Sequence, residues 1–279
     1  MLRSWKNKFD FRKFAPIHSD PNIFISSQWQ RNKTDPNLIY LIYRTAVMLF
    51  FFITWVITIV RESGKGKWPI FLTNWGYTTN TVQATLAFIM LFFSYIGSTC
   101  NKPKIKESVL SLYSVYWVAY NVASSTGLVI SVIYWTVIFD ANKIALDALN
   151  FFVHGNNSIL ILIDVCIIAH PFIMWHVIYP VMLGTIYSIF TIIYYAAGGT
   201  GKEGRPFIYK IVNWDKPGMT LGVCLGVLIF VIIIHSLMVL ITAARQKLEK
   251  KLRSKKLDIT VETKKQEAAY VNEAMTDVV

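Results

Sequence analysis

Long apolar runs alternate with short polar blocks along the chain, and the runs are longer than ordinary strands or core helices. A helix that crosses about 30 Å of hydrocarbon needs about 20 largely apolar residues. The run from Ala46 to Val60 is the plainest, because it contains no charge. The pattern predicts an all-α, polytopic membrane helix bundle with six transmembrane helices, at 38–60, 71–98, 109–138, 148–169, 171–197 and 217–243.

The fourth and fifth predicted spans are separated only by His170-Pro171. Proline cannot donate in a helix ladder, so it suits a sharp turn or the first turn of a new helix. The alternative is one long kinked helix, which would change the number of spans.

Composition supports a membrane protein. Of 279 residues, 54% are hydrophobic and only 16% are charged, whereas soluble domains carry about 25% charged residues. The mean hydropathy is +0.44. These values exclude a disordered chain, a coiled coil and an ordinary cytosolic domain. The net charge of +12 lies in short basic blocks between apolar runs, so nucleic acid is not expected as a partner. Three cysteines cannot form a disulfide framework.

The distribution of Lys and Arg predicts the orientation. With six spans both termini lie on one side, which would hold 20 basic residues against 8 on the other. The positive-inside rule therefore places both termini in the cytoplasm. Arg44 lies near the start of the first span and is expected to snorkel to the cytoplasmic interface.

Two cytoplasmic tails flank the predicted bundle. Residues 1–37 interleave basic and aromatic side chains, which suits either an anionic membrane surface or a solvated tail. Residues 244–279 are basic and then mixed in charge, with disorder expected from residue 257. Between them, Gly218, Gly222 and Gly226 recur every four residues, a spacing that lets helices approach closely. Packing within the monomer is the expected use, and a homodimer face is the alternative.

Two polar residues define a candidate catalytic site near the outer boundary of the membrane. On a rise of about 1.5 Å per residue, Thr73 in the second span and His154 in the fourth lie at similar depth. A histidine within hydrogen-bonding reach can activate a threonine hydroxyl as a nucleophile. The alternative is structural, because threonine in a membrane helix usually bonds its own backbone. Asn74, Asn156 and Asn157 are candidates to line this site or to orient its two residues.

A second polar cluster is predicted nearer the cytoplasm, at Asp164, His170, His176 and His235. Three histidines and a carboxylate could bind zinc. The spacing contains no local metal pattern, however, so we expect neither a metal nor a cofactor. An Asp164–His235 hydrogen bond or ion pair between helices is the favoured interpretation, because an intramembrane carboxylate needs a partner.

Short segments rich in aromatic residues, glycine and asparagine form a further pattern from about Trp29 to Ala243. They are Ser27-Gln28-Trp29, Phe71-Leu72-Thr73-Asn74-Trp75-Gly76, His154-Gly155-Asn156, Tyr179-Pro180, Tyr194-Tyr195-Ala196-Ala197-Gly198-Gly199-Thr200, Ile208-Tyr209-Lys210 and Asn213-Trp214-Asp215-Lys216-Pro217-Gly218. This pattern resembles the rolling stone family of insect membrane proteins. The resemblance implies a multi-pass plasma-membrane protein that acts in cell fusion, since rolling stone is associated with myoblast fusion. It supplies no mechanism and no named protein partner.

The chain is more distantly similar to the androgen-induced and androgen-dependent membrane hydrolases, which cleave fatty-acid esters of hydroxy fatty acids. Thr73 and His154 match the threonine and histidine of those enzymes. This similarity implies a lipid carboxylic-ester hydrolase as the alternative function, with membrane lipids and a fatty-acid ester as partners. A small transporter is a third alternative, which the lack of a visible internal repeat weakens.

Overall fold

The computed structural model describes residues 11–63, 66–140 and 147–276. In this part of the chain, six helices are long and apolar enough to cross a membrane, as the hydropathy pattern predicts. They begin and end within a few residues of the predicted bounds, except that the last runs on. We label the helices in chain order: α1 Leu38–Ser63, α2 Leu72–Thr99, α3 Pro103–Leu110, α4 Tyr113–Ile138, α5 Ala148–Ile167, α6 Met174–Ala196 and α7 Pro217–Thr276.

The short helix α3 connects two spans and begins with Pro103, which suits the first turn of a helix. The core lies where α4 meets α2, α5 and α7, and its fully buried side chains include Trp117 and Tyr116. By contrast, α6 and α7 turn most of their apolar surface outward, as helices that face lipid do.

His170-Pro171 forms a turn between two spans. Helix α5 ends at Ile167, and Ile168 has extended backbone with φ −62° and ψ 154°. A 3₁₀ turn at Met174–Val177 then starts α6. The alternative of one kinked helix is therefore wrong, and the count of six spans holds for the described residues.

The N-terminal segment is folded into the bundle, which corrects the expectation of a membrane-surface or solvated tail. Phe24 and Ile25 are buried in the core. Residues 1–10 of the predicted tail lie outside the described residues.

This segment also caps the end of α5, where the last carbonyl groups of a helix have no partner within the helix. Gln28 N–H donates to the Ile167 carbonyl at 2.7 Å, and Trp29 Nε1 donates to the Cys166 carbonyl at 2.8 Å. The Ser27 hydroxyl donates to Ile167 as well, at 3.0 Å. The pattern Ser27-Gln28-Trp29 is thus a helix cap supplied from a distant part of the chain.

At the other end of the protein, α7 continues as helix to Thr276 instead of becoming disordered from residue 257. Its extension contacts the N-terminal segment, because Arg253 donates to the Gln30 carbonyl at 2.8 Å and Lys33 pairs with Glu249 at 3.7 Å. Residues 277–279 lie outside the described residues.

The glycine stripe on α7 packs against none of the residues that the structure describes. A Cβ atom added to Gly218, Gly222 or Gly226 would meet no atom within 4 Å. The expectation of close intramolecular packing there is wrong, because α7 turns this face outward.

Candidate functional site

A cavity of about 90 Å³ lies at the end of the bundle where α2 and α7 begin. Its walls come from α2, α4, α6, α7 and the turn at Tyr209–Val212, and Thr73 lies among the lining residues. We call it the Thr73 cavity. None of the residues that line it in the described part of the chain is charged, and most are aliphatic.

Thr73 differs from the other threonines of α2 in its surroundings. Thr78, Thr79 and Thr81 each donate to the carbonyl group four residues earlier. Thr73 lies in the first turn of the helix, where the residue four positions earlier precedes the helix. The Thr73 side chain and backbone interact instead with the phenol of Tyr209. Burial raises the pKa of this phenol.

His154 lies in a separate environment. Its ring stacks on Tyr134, with ring centroids 3.5 Å apart and planes 2° from parallel. Both residues lie in π-helical turns, at Tyr134–Ile138 and Phe152–Asn156. Such turns are rare and often occur at functional positions.

His154 does not line the Thr73 cavity, and no hydrogen bond joins it to Thr73 in the described residues. The pairing of the two as base and nucleophile therefore stays a prediction. Asp147, the carboxylate on nearly the same helical face as His154, forms an ion pair with Arg61 and accepts from Asn150 N–H. The Asn150 backbone and then Arg61 lower the pKa of Asp147.

The three asparagines predicted to line or support the site are also absent from the cavity lining. Asn74 Nδ2 donates to the Trp68 carbonyl at 2.6 Å and so fixes the turn before α2. Asn157 lies beside Gly127, where α4 packs on α5, and Asn156 lies one residue earlier in the π-helical turn.

Arg44 and Asp164 form a buried ion pair inside the bundle. Arg44 Nη1 donates to Asp164 Oδ1 at 2.9 Å, and Tyr43 OH donates to the same oxygen at 2.8 Å. The side chain of Arg44 is only 1% exposed, so Arg44 does not snorkel. The predicted Asp164–His235 pair is also wrong: His235 contacts the Ser125 hydroxyl and the Ile173 carbonyl, each at 3.0 Å.

A hydrogen-bonded chain extends this ion pair to the α5–α6 turn. Arg44 Nη2 donates to Tyr116 OH at 3.3 Å, and Tyr116 OH lies 3.0 Å from His170 Nε2. The Tyr116 hydroxyl therefore links the Arg44 guanidinium to the His170 imidazole. Burial, with Arg44 and Arg245 nearby, lowers the pKa of His170 well below its usual range. We call these residues, with Tyr40 and Tyr43, the Asp164 network.

Arg245 closes the network from α7. It donates to the carbonyl groups of Val165 and, at 3.0 Å, His170. A cation at a helix C-terminus is stabilised by the helix dipole. Arg245 is therefore a buried cap on α5, although its position in the sequence suggests only the start of a basic tail.

The inner cluster does not form a metal site. No group of three His, Cys, Asp or Glu side chains in the described residues could hold a metal ion. His176, the remaining member of the predicted set, packs against Trp117 with ring centroids 4.4 Å apart. The cluster is instead distributed among separate packing and hydrogen-bonding roles.

Comparison with known proteins identifies the family. A family model described as "Protein rolling stone" matches residues 1–256. A curated relative, Protein rolling stone of Drosophila melanogaster, is 28% identical over 236 residues, which cover 82% of this chain and 85% of the relative. No solved structure matches the chain. With six helices that can span a membrane and a family match over nearly its whole length, the chain belongs to the rolling stone family of multi-pass membrane proteins.

Proposed function

We propose that this protein acts in cell fusion at the plasma membrane. The observation that carries the proposal is the family match over residues 1–256, together with the relative that covers 82% of the chain. The resemblance to rolling stone implies a role in the fusion of muscle precursor cells. Because family membership supplies no mechanism, the proposal is tested in cells.

The architecture is consistent with a rigid membrane scaffold. The Asp164 network joins α1, α4 and the α5–α6 turn, and Arg245 ties α7 to the same turn. Buried charge pairs of this kind hold helices in one arrangement, since breaking one leaves an uncompensated charge in a low-dielectric interior.

The test is a content-mixing assay between two populations of fusing cells that carry complementary halves of a reporter. Removing the protein from one population should reduce mixing, and wild-type protein should restore it. Asp164→Asn should fail to restore mixing, whereas Asp147→Asn, at an exposed ion pair, should restore it. Normal mixing without the protein, with its absence confirmed by immunoblotting, would contradict the proposal.

A lipid carboxylic-ester hydrolase is the second candidate function. The observation that favours it is the position of Thr73 in a neutral cavity within the membrane-spanning helices. The test is labelling with a fluorophosphonate probe. Thr73→Ala should abolish labelling, and Thr79→Ala, which removes a hydroxyl bonded to its own helix, should not. Labelling that survives Thr73→Ala, or no labelling of the wild type, would contradict this function.

A further inference from the structure

The Thr73 cavity has the chemistry of a binding site for an uncharged amphiphile. Its walls are aliphatic side chains such as Ile130, Ile133, Val223 and Val227. Packed interiors contain few voids larger than a water molecule. The cavity of about 90 Å³ is partly open to the surface of the bundle, and it offers room for a small group.

The polar end of the cavity lies at the first turn of α2. The backbone N–H groups of Leu72 and Thr73 and the Thr73 side chain all interact with the phenol of Tyr209. The neighbouring phenol, Tyr187, donates to the Ile70 carbonyl at 2.8 Å. Since the Tyr187 hydroxyl is engaged, the Tyr209 phenol and the Thr73 hydroxyl are the donors that line this end of the cavity.

Charge selects the class of ligand. The lining residues in the described ranges are all neutral, so nothing there neutralises a buried phosphate or carboxylate. Lys202, which lies over the Phe71 ring near the cavity, is paired with Glu62 at 3.1 Å. A carbonyl oxygen that accepts a hydrogen bond, without a net charge, fits this end of the cavity.

The open glycine stripe provides a place for an attached hydrocarbon chain. Gly222 and Gly226 are exposed and alternate along α7 with the cavity-lining residues Val223, Cys224 and Val227. A Cβ atom at either glycine would meet nothing within 4 Å. The surface at these two glycines lies on the same turns of α7 as the residues that line the cavity.

We propose that the Thr73 cavity binds the carbonyl end of a single-chain, uncharged acyl ester, such as a monoacylglycerol, with its chain along the glycine face of α7. The Tyr209 phenol donates to the ester carbonyl, and the aliphatic walls hold the first carbons of the chain. The proposal concerns binding alone. It is independent of a role in fusion and of whether the ester is cleaved.

Cys224 is a native reporter for this site, because it lines the cavity and the chain contains only two other cysteines. The other two, Cys100 and Cys166, are exposed. For the experiment, both are replaced by serine. The single-cysteine protein is placed in phosphatidylcholine nanodiscs, and its reaction with N-ethylmaleimide is timed with and without monoolein. Monoolein should slow the modification of Cys224 in a saturable manner, and oleate at neutral pH should protect less.

A matched control separates occupancy of the cavity from a general effect on the bilayer. In a Cys224→Ser background, Ile193→Cys places the thiol on α6, away from the glycine face and outside the cavity lining, at a position that is 62% exposed. Monoolein should leave its reaction rate unchanged. Equal slowing at both positions, or protection at neither, would overturn the proposal.

The polar contact is tested by Tyr209→Phe, which keeps the ring and removes the donor. A neutral hydrogen bond contributes about 0.5–1.5 kcal/mol, so the monoolein concentration for half protection should rise about two- to tenfold. Unchanged protection would remove Tyr209 from the site. A diazirine-bearing monoacylglycerol gives an independent readout: it should crosslink within residues 222–228, and Val227→Phe should suppress that crosslink. Crosslinking elsewhere, or unaffected by this substitution, would also overturn the proposal.

Discussion

The stability losses from removing Arg44 and Asp164 one at a time should together exceed the loss from removing both. Asp164→Asn keeps the shape of the side chain and an acceptor for Tyr43 OH, but it leaves the Arg44 guanidinium, 1% exposed, without its counter-charge. Breaking a buried ion pair in this way costs about 3–5 kcal/mol.

The double variant Arg44→Met/Asp164→Leu removes both charges. Hydrophobic replacement of a whole buried pair is often neutral or stabilising. Here the phenols of Tyr40 and Tyr43 lose their partners, each at a cost of about 1–3 kcal/mol if they find no other. Arg44→Met and Asp164→Leu each leave one buried charge uncompensated. The loss for the double variant should therefore be smaller than the sum of the two single losses, and the two substitutions should show strong coupling.

The free energy of unfolding is measured by reversible denaturation in mixed micelles, followed by tryptophan fluorescence. The control is the Arg61–Asp147 pair, whose side chains are 57% and 36% exposed. Asp147→Asn keeps a residue suited to the helix N-cap, so the loss there should be about 0–1 kcal/mol. A loss for Asp164→Asn no larger than this control, or a double variant with additive losses, would contradict this expectation.

Three further predictions concern single positions. Burial lowers the pKa of His170, so below about pH 6.5 the unfolded chain binds a proton that the folded chain does not; stability should fall as the pH falls. In unfolding titrations, His170→Gln should reduce the dependence of the unfolding free energy on pH. An unchanged dependence would contradict this prediction. Arg245→Met should lower the unfolding free energy by about 1–3 kcal/mol, because it leaves carbonyl groups at the end of α5 without a donor; exposed Lys247→Met should be nearly neutral. Gly201→Ala should cost about 1–3 kcal/mol because its Cβ would clash with the Phe207 carbonyl oxygen, whereas Gly222→Ala, in open space, should cost little; equal losses would refute this.

Hydropathy predicts the six spans well because the cost of placing a helix in lipid is a local property of about 20 consecutive residues. The first span is predicted at 38–60, and the membrane-spanning part of α1 in the structure is Leu38–Glu62, which ends two residues later. The same rule does not predict the extension of α7 to Thr276, because helix beyond the lipid depends on propensity and contacts instead of hydropathy.

Partners of buried groups are harder to predict. The sequence indicates that Asp164 needs a partner, but depth along a helix does not reveal which helices are neighbours. Its position near the end of a span predicts that Arg44 lies at the interface, yet it is surrounded by Tyr40, Tyr43 and Tyr116. The recurrence of tyrosines at positions 40 and 43 around an intramembrane arginine is the signal that could have identified the network.

The N-terminal segment illustrates the same limit. Its apolar pair Phe24-Ile25 followed by the donors of Ser27-Gln28-Trp29 is compatible with a surface tail or with insertion into the bundle. The structure selects insertion because the carbonyl groups at the end of α5 need donors. These carbonyl groups are 140 residues away from Ser27 in sequence, so no local pattern around Ser27 predicts the contact.

An even number of membrane crossings places both ends of the chain on one side. It also places the Asp164 network and the Thr73 cavity near opposite faces of the membrane. Epitope tags at the two ends of the chain and a third tag inserted after Gly204 are probed with antibody in intact and in permeabilised cells. The Gly204 tag should be labelled in intact cells, and the end tags only after permeabilisation. Labelling of one end tag in intact cells while the other stays protected would contradict the six-span bundle.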